Sequence, residues 1–314
     1  MVNMKAVRIH QYGGSEVLVY ENVPLPTILP DEVLIKVHAS GVNPVDWKIR
    51  EGLRLTTFPT ELPLTLGWDV SGVIESIGTE VTDFKKGDKV YSRPNITRNG
   101  TYAEYVAVKA SEVAFKPKTI EHVRAASVPL AALTAWQALF DHGKLEAGQK
   151  VLIIGASGGV GSFAVQLAKW KKAKVIGVCS SKNVDFLKSL KADQVIDYTT
   201  VHYEDVVKNV DLVFDAVGGE AKVHGWKVLK AGGMFVSITG KPESNDPHAE
   251  GKHGVGFIVT PNKEQLTQIA KLIDEGIVRP VVSAVLPLSD ARKAQDMLQH
   301  SQNVRGKIVL KVVD

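Results

Sequence analysis

The residues in this chain best suited to chemistry form a glycine-rich turn, Gly155-Ala156-Ser157-Gly158-Gly159-Val160-Gly161. An apolar run, VLII, leads into it, and a helical pattern follows in which Val160, Ala164, Leu167 and Ala168 share one face. A second apolar run ends at Cys179. Strand, tight turn, helix and strand in this order make one βαβ unit. Small residues at the turn let the backbone come close to a pyrophosphate and aim the first N–H groups of the helix at the anion. Gly158 and Gly161 take the second and third glycine places of G-x-G-x-x-G, and Ala156 takes the first. A lone glycine pattern is weak, but its placement between a strand and a helix makes it specific. Ala156, Ser157, Gly158, Gly159, Val160 and Gly161 are therefore expected to hold a dinucleotide.

The end of the second strand narrows the cofactor. Selection of NAD uses Asp or Glu about 20 residues past the glycines, bonded to the ribose 2′-OH. Here Cys179 stands at that place, 18 residues past Gly161, followed by Ser180, Ser181 and Lys182. This segment has no carboxylate to repel a 2′-phosphate, and two hydroxyls and an ammonium can receive one. The expected cofactor is NADPH.

These residues need a scaffold, and the rest of the chain reads as one. With 314 residues it exceeds a typical single core, so two domains are expected. Residues 1–125 carry short strand patterns at 5–9, 17–20, 32–39, 70–77, 90–91 and 100–108, which suggests a partly closed barrel or sandwich. Helical patterns flank Pro129, the second covering about 130–140. After Cys179 helices (182–190, 203–208, 221–229) alternate with strands (194–197, 212–217, 234–239), the pattern of a doubly wound parallel sheet. A polar loop at 240–256 and a strand at 256–259 follow. Next come a helix at 263–275, a helix at 290–299 capped by Ser289, and a closing strand at 306–313. The fold class is α/β, with domains at 1–125, 126–261 and a return to the first at 262–314.

Composition excludes several classes. Hydrophobic content of 44% and charged content of 23% are ordinary for a globular enzyme. No apolar run approaches the ~20 residues of a membrane span. MVNMKAVRIHQYGG passes straight into a strand pattern, so no signal peptide is expected. One cysteine rules out an internal disulfide and a cysteine-built metal site. A cytoplasmic location fits that usage. The net charge of +4 is mild and spread, so no nucleic-acid partner is expected.

The motifs SGVNPVDWKIREG (40–52), LGWDVSGVI (66–74), GTYAEY (100–105), AALTAWQAL (131–139), IGASGGVG (154–161), FDAVGG (214–219) and VRGKIVL (304–310) together span essentially the whole chain. In their order and spacing the chain resembles the medium-chain dehydrogenase/reductase family, in its zinc-free quinone oxidoreductase and enone reductase branch. That resemblance implies a GroES-like barrel domain wrapped around a Rossmann domain, with the active site in the cleft between them. Relatives are often homodimers. In zinc alcohol dehydrogenases of the family, cysteine, histidine and cysteine ligands stand where this chain has Asn43, Trp68 and Leu130, a set that cannot make the N/S tetrahedron zinc prefers. No metal is expected.

By the same resemblance, Asn43 is placed nearest the nicotinamide or the substrate carbonyl. Asp46, Lys48 and Trp68 are placed at the substrate pocket, with a backbone-bonding, structural role for Asp46 equally open. Thr134, Tyr198, Val217 and Arg305 are placed at the cofactor. The implied activity is NADPH-dependent hydride transfer to a small-molecule quinone or to the double bond of an α,β-unsaturated carbonyl. Alternatives are an enoyl-thioester reductase, and a crystallin-like or RNA-binding protein that retains the nucleotide site without significant turnover.

Overall fold

The computed structural model describes residues 3–300 and 305–313. The chain divides into two compact units. One comprises Met1–Leu130, Thr260–Gly276 and Pro280–Asp314, the other Ala131–Val259 and Ile277–Arg279.

The first unit opens with β1 (Asn3–Ile9), β2 (Leu18–Pro24), β3 (Glu32–Val42), helix α1 (Pro44–Arg50), β4 (Leu64–Thr65), β5 (Val70–Ile77), β6 (Lys89–Ser92), β7 (Tyr105–Lys109), β8 (Val113–Phe115) and α2 (His122–Ala125). Strands β2, β1 and β4 form a small antiparallel sheet in that order. The central strand of the unit is β3, which pairs antiparallel with both β5 and β7. Its alternation buries Val33, Ile35 and Val37 against Val70, Ile74, Val90 and Val106. Val81 and Phe84 close the same core.

Helix α3 (Pro129–Trp136), which leads from the first unit into the second, runs on into a wider π-type turn, Gln137–His142. Then come β9 (Lys150–Ile154), α4 (Gly159–Trp170), β10 (Lys174–Cys179), α5 (Val184–Ser189), β11 (Gln194–Asp197), α6 (Tyr203–Val206), β12 (Val210–Asp215), α7 (Glu220–Val223), α8 (Gly225–Val228), β13 (Leu229–Ser237) and β14 (His253–Gly256). The sheet is wholly parallel, in the order β11-β10-β9-β12-β13-β14. This is a doubly wound Rossmann sheet with its switch point between β9 and β12. Its inner strands are near-continuous apolar runs because both faces are covered. Val151, Leu152, Ile153 and Ile154 are all buried.

The chain then returns to the first unit through α9 (Lys263–Asp274), β15 (Val282–Pro287), α10 (Ala291–His300) and β16 (Lys307–Lys311). Strand β16 pairs with β3, which completes a larger sheet ordered β15-β16-β3-β5-β6-β8. Among the described residues no ladder closes fully, but an antiparallel bridge between Ala6 and Ala103 ties the small sheet to the chain entering β7, consistent with the partly closed, GroES-like barrel domain expected.

Several elements differ from the sequence expectation. The edge strand lies at His253–Gly256, inside the stretch read as loop, because a Cβ on Gly254 would lie 2.6 Å from the Trp226 ring and only glycine lets the strand dock there. The helix expected over 221–229 is split in two. A Cβ on Gly225 would meet the Phe235 ring at 2.4 Å, so the chain needs glycine where a helix disfavours it. The strand expected over 100–108 begins only at Tyr105, since Thr101 and Tyr102 donate to the carbonyls of Gly67 and Leu66 instead. Ser289 lies within a 3₁₀ turn, Leu288–Asp290, and does not cap the helix that follows. The elements α1, β4, β8 and β15 have no counterpart in the sequence expectation.

Candidate active site

In the second unit, the carboxyl ends of β9 and β12 flank the switch point. The glycine turn leaves β9 with Gly155 at φ +80, and Gly158 is the N-cap of α4. Gly158 N donates to Gly155 O at 3.1 Å and Ser162 N donates to Gly158 O at 3.0 Å. A Cβ on Gly161 would lie 2.2 Å from Gly155 O and 2.7 Å from Ala156 Cα, so glycine is what lets α4 seat on the turn. A Cβ on Gly158 would meet only Gly155 O, at 3.4 Å. That side of the turn is open, with room for a group to approach the backbone. Ala156 is wholly buried under the turn, while Ser157, Gly159 and Val160 keep partial exposure along it.

Beside the turn, exposed Val217 approaches Gly155, where an added Cβ would lie 2.6 Å from its Cγ2. The loop that carries Val217 is pinned by Asp215. Its Oδ1 accepts from Val217 N and Gly218 N at 2.9 and 2.8 Å, and its Oδ2 accepts from Ser237 Oγ and Thr239 Oγ1 at 2.7 and 2.9 Å. Four donors repay the burial of this carboxylate.

At the end of β10, Ser180 is buried, and its Oγ accepts from Asn183 Nδ2 at 3.3 Å. Ser181 and Lys182 are exposed. Ser181 Oγ lies 2.8 Å from Thr199 Oγ1, which donates to Asp197 at 2.7 Å. Tyr198 is exposed, with its backbone N bonded to Cys179 O. Burial pushes the Cys179 thiol up to about 11, so it stays a protonated, inert neighbour. Thr134 is buried on α3.

In the first unit the positions singled out by sequence converge on a residue that sequence reasoning missed, Asp69. This carboxylate is wholly buried one residue before β5. Its Oδ1 accepts from Leu130 N at 2.6 Å. Its Oδ2 accepts from Asn43 Nδ2 at 2.8 Å and from Lys307 Nζ at 3.2 Å. The Lys307 ammonium also donates to Val42 O at 2.9 Å and to Asn43 Oδ1. Three ammonium protons thus meet three acceptors. Gly41 is required here, because a Cβ would stand 2.7 Å from Asp69 Oδ2. Burial raises the Asp69 carboxyl above the usual range, and Lys307, Asn43 and the Leu130 amide oppose it.

Asn43 is the N-cap of α1, and its backbone N donates to Asp46 Oδ2 at 2.8 Å. Tyr102 donates its hydroxyl to the same oxygen at 2.7 Å. Asp46 is therefore built into the N-terminus of α1 through the backbone N–H of its N-cap. Its Oδ1 is buried without a hydrogen-bond partner, and burial pushes its carboxyl up to about 7. Trp68 is wholly buried, with Nε1 donating to Arg98 O at 3.3 Å. Lys48 alone of the four residues assigned to the substrate end keeps partial exposure, beside the Trp47 ring. Burial first, then the Arg54 charge, lowers its amine. Arg305 is exposed just before β16.

The structure thus brings Asn43 and Asp46 together and leaves Trp68 in the core. Asp69, Lys307, Tyr102 and Asp215 lie inside the motifs quoted above, and the signal for the charged ones was there. A lone charge in an apolar strand run has to find a partner.

A tetrahedral zinc site needs four N, S or O donors. Among the described residues no cluster of three or more His, Cys, Asp or Glu is placed to hold a metal. The asparagine, tryptophan and leucine positions supply no such set, and the carboxylate beside them already holds an ammonium and two N–H donors.

Residues 29–118 match the alcohol dehydrogenase GroES-like domain, and residues 190–310 match the family described as zinc-binding dehydrogenase. The chloroplastic NADPH-dependent alkenal/one oxidoreductase of Arabidopsis thaliana is 38% identical, over 98% of this chain and 79% of its own length. The mitochondrial NAD(P)H oxidoreductase RTN4IP1 of Mus musculus is 36% identical, over 99% and 89%. The quinone oxidoreductase structure from Coxiella burnetii superposes with a TM-score of 0.89 at 34% identity, covering 99% of this chain and all of that one. The chain belongs to the medium-chain dehydrogenase/reductase family, in its quinone and enone oxidoreductase branch. Membership accounts for the glycine turn at the switch point and for the β-rich unit with its returning tail. The relatives named here include mitochondrial and chloroplastic proteins. Among the described residues no helix is long and apolar enough to cross a membrane.

Proposed function

We propose that this protein is a metal-independent, NADPH-dependent reductase that delivers hydride to quinones or to the β-carbon of α,β-unsaturated carbonyls. The observation that carries the reading is the open phosphate cradle at Gly158, followed at the end of β10 by Ser180-Ser181-Lys182 in place of a carboxylate. The names of the similar oxidoreductases support the acceptor class.

When bound, the nicotinamide supplies a hydride. The chain supplies the rest. The N–H groups at the start of α4 hold the pyrophosphate, and the hydroxyls and ammonium of 180–182 receive the 2′-phosphate. Residues 43–48, the N-cap and first turns of α1, bound the acceptor, with Lys48 as their part-exposed cation. Quinones and enones are electrophilic without a Lewis acid, so the chain's part is positioning and exclusion of water. The proton that completes reduction comes from water or a nearby hydroxyl.

Protein, NADPH and a panel of quinones and enones are mixed, and the nicotinamide absorbance is followed. At least one acceptor is expected to consume NADPH, with NADH turning over far more slowly. Failure with every acceptor overturns the activity, and equal turnover with NADH overturns the cofactor preference.

A further inference from the structure

Two charges buried in the first unit have no part in the chemistry above. Asp69 is wholly buried and Lys307 nearly so, one residue before β5 and on β16. Removing two charges from water is expensive, and an apolar pair of similar volume often serves a fold as well or better. Such a pair is retained most convincingly where it fixes a geometry. Here it fixes three segments at once. Asp69 Oδ1 holds the backbone N–H of Leu130, and Oδ2 holds the Asn43 amide. Lys307 holds the opposite end of that amide and the carbonyl of Val42. The amide of Asn43 is thereby gripped at both ends, by a carboxylate at Nδ2 and by an ammonium at Oδ1. It has one orientation. Asn43 is the N-cap of α1, so the grip fixes the first turn of the helix that carries Asp46 and Lys48. The segments that carry Asn43, Asp69 and Leu130 thus meet on one buried ion pair.

We infer that Asp69 and Lys307 are positioning residues for the reduction, an organic clamp that sets Asn43 and the start of α1 in register with the acceptor. The inference rests on the reductase reading. Neither residue touches a reacting atom; both act through Asn43.

The decisive variant is Asp69→Asn with Lys307→Met. It removes both charges, while the amide introduced at position 69 still offers an oxygen to Leu130 N. A clamp that serves only the fold predicts that this double variant recovers both the melting temperature and the rate. A positioning clamp predicts recovery of the melting temperature without the rate. Turnover is expected to fall about 10- to 100-fold, the cost of ångström-scale misplacement. The KM for NADPH should stay within about twofold of wild type, since the glycine turn and the 180–182 segment read as holding its phosphates belong to the other unit. With NADPH deuterated at the transferred position, the isotope effect on kcat should rise as hydride transfer becomes limiting. Single Lys307→Met, which strands a buried carboxylate, should melt well below the double variant.

Asn43→Ser is the second arm. It leaves the ion pair in place and cuts its link to α1, and it should show the same loss of turnover and the same rise in isotope effect. A double variant, or Asn43→Ser should the double not fold, with wild-type kcat and isotope effect overturns the clamp and leaves the reductase reading standing. Wild-type protein inert with every acceptor overturns both.

Discussion

Gly158→Ala tests whether the glycine turn is a phosphate cradle or only a tight turn. The backbone at Gly158 is extended, φ −74 and ψ −179, which alanine adopts freely. The added Cβ meets one atom, Gly155 O at 3.4 Å, an ordinary contact. Alanine is a poorer N-cap than glycine by about 0.5–1 kcal/mol. It also restricts the unfolded chain, which returns about 0.4–1 kcal/mol. The two nearly cancel, so the melting temperature should move by no more than about 2 °C. Cofactor binding should not be spared. The Cβ projects into the side a pyrophosphate would approach, and displacing one charge-assisted hydrogen bond costs about 1.5–3 kcal/mol. That corresponds to a Kd weaker by about tenfold to a hundredfold. Calorimetric titration with NADPH and a thermal melt on the same sample separate the two effects. Gly161→Ala is the contrast. Its Cβ would lie 2.2 Å from Gly155 O, a backbone atom that cannot swing away. Overpacking of this kind costs about 1–3 kcal/mol, so Gly161→Ala should melt several degrees lower. An unchanged NADPH Kd in Gly158→Ala would refute the cradle.

Lys182→Glu places a carboxylate beside the expected 2′-phosphate. It should raise the KM for NADPH at least about tenfold and leave that for NADH nearly unchanged; an unchanged NADPH KM removes Lys182 from the site. His122 should make the fold acid-sensitive. Its ring stacks on His38 at 4.4 Å, Nδ1 lies 2.8 Å from Ser71 Oγ, and Nε2 is buried without a partner. Burial first, then His38, Lys116 and Lys89, lowers it from 6.5 to about 3. The unfolded chain therefore binds the proton first. Stability is full above the unfolded pKa and falls as pH drops below about 6.5, by roughly 2 kcal/mol at pH 5, or about half that once partial exposure is discounted. His122→Gln keeps a partner for Ser71 and should flatten the melting-temperature slope between pH 6.5 and pH 5. An unaltered slope assigns the acid sensitivity elsewhere.

Much of the second unit was legible because its signals are local. The run VLII, the glycines and the amphipathic face of α4 lie within one βαβ unit, and neighbours in sequence there are neighbours in space. What sequence misplaced was set by distant packing. The break between α7 and α8 follows from the Phe235 ring against Gly225, and the position of β14 from the Trp226 ring against Gly254. Neither ring can be seen from the glycine it constrains.

The same division runs through the candidate active site. From composition and spacing alone the chain presents a glycine turn of the dinucleotide-binding pattern, a following strand end without a carboxylate, and a single cysteine, too few for a cysteine-built metal site. It could not reveal that Asp69 and Lys307, 238 positions apart, share one buried site with Asn43. A charge in a strand announces only that it needs a partner. Which partner it has depends on β16 returning to lie against β3, and long-range strand pairing exists only in the folded chain.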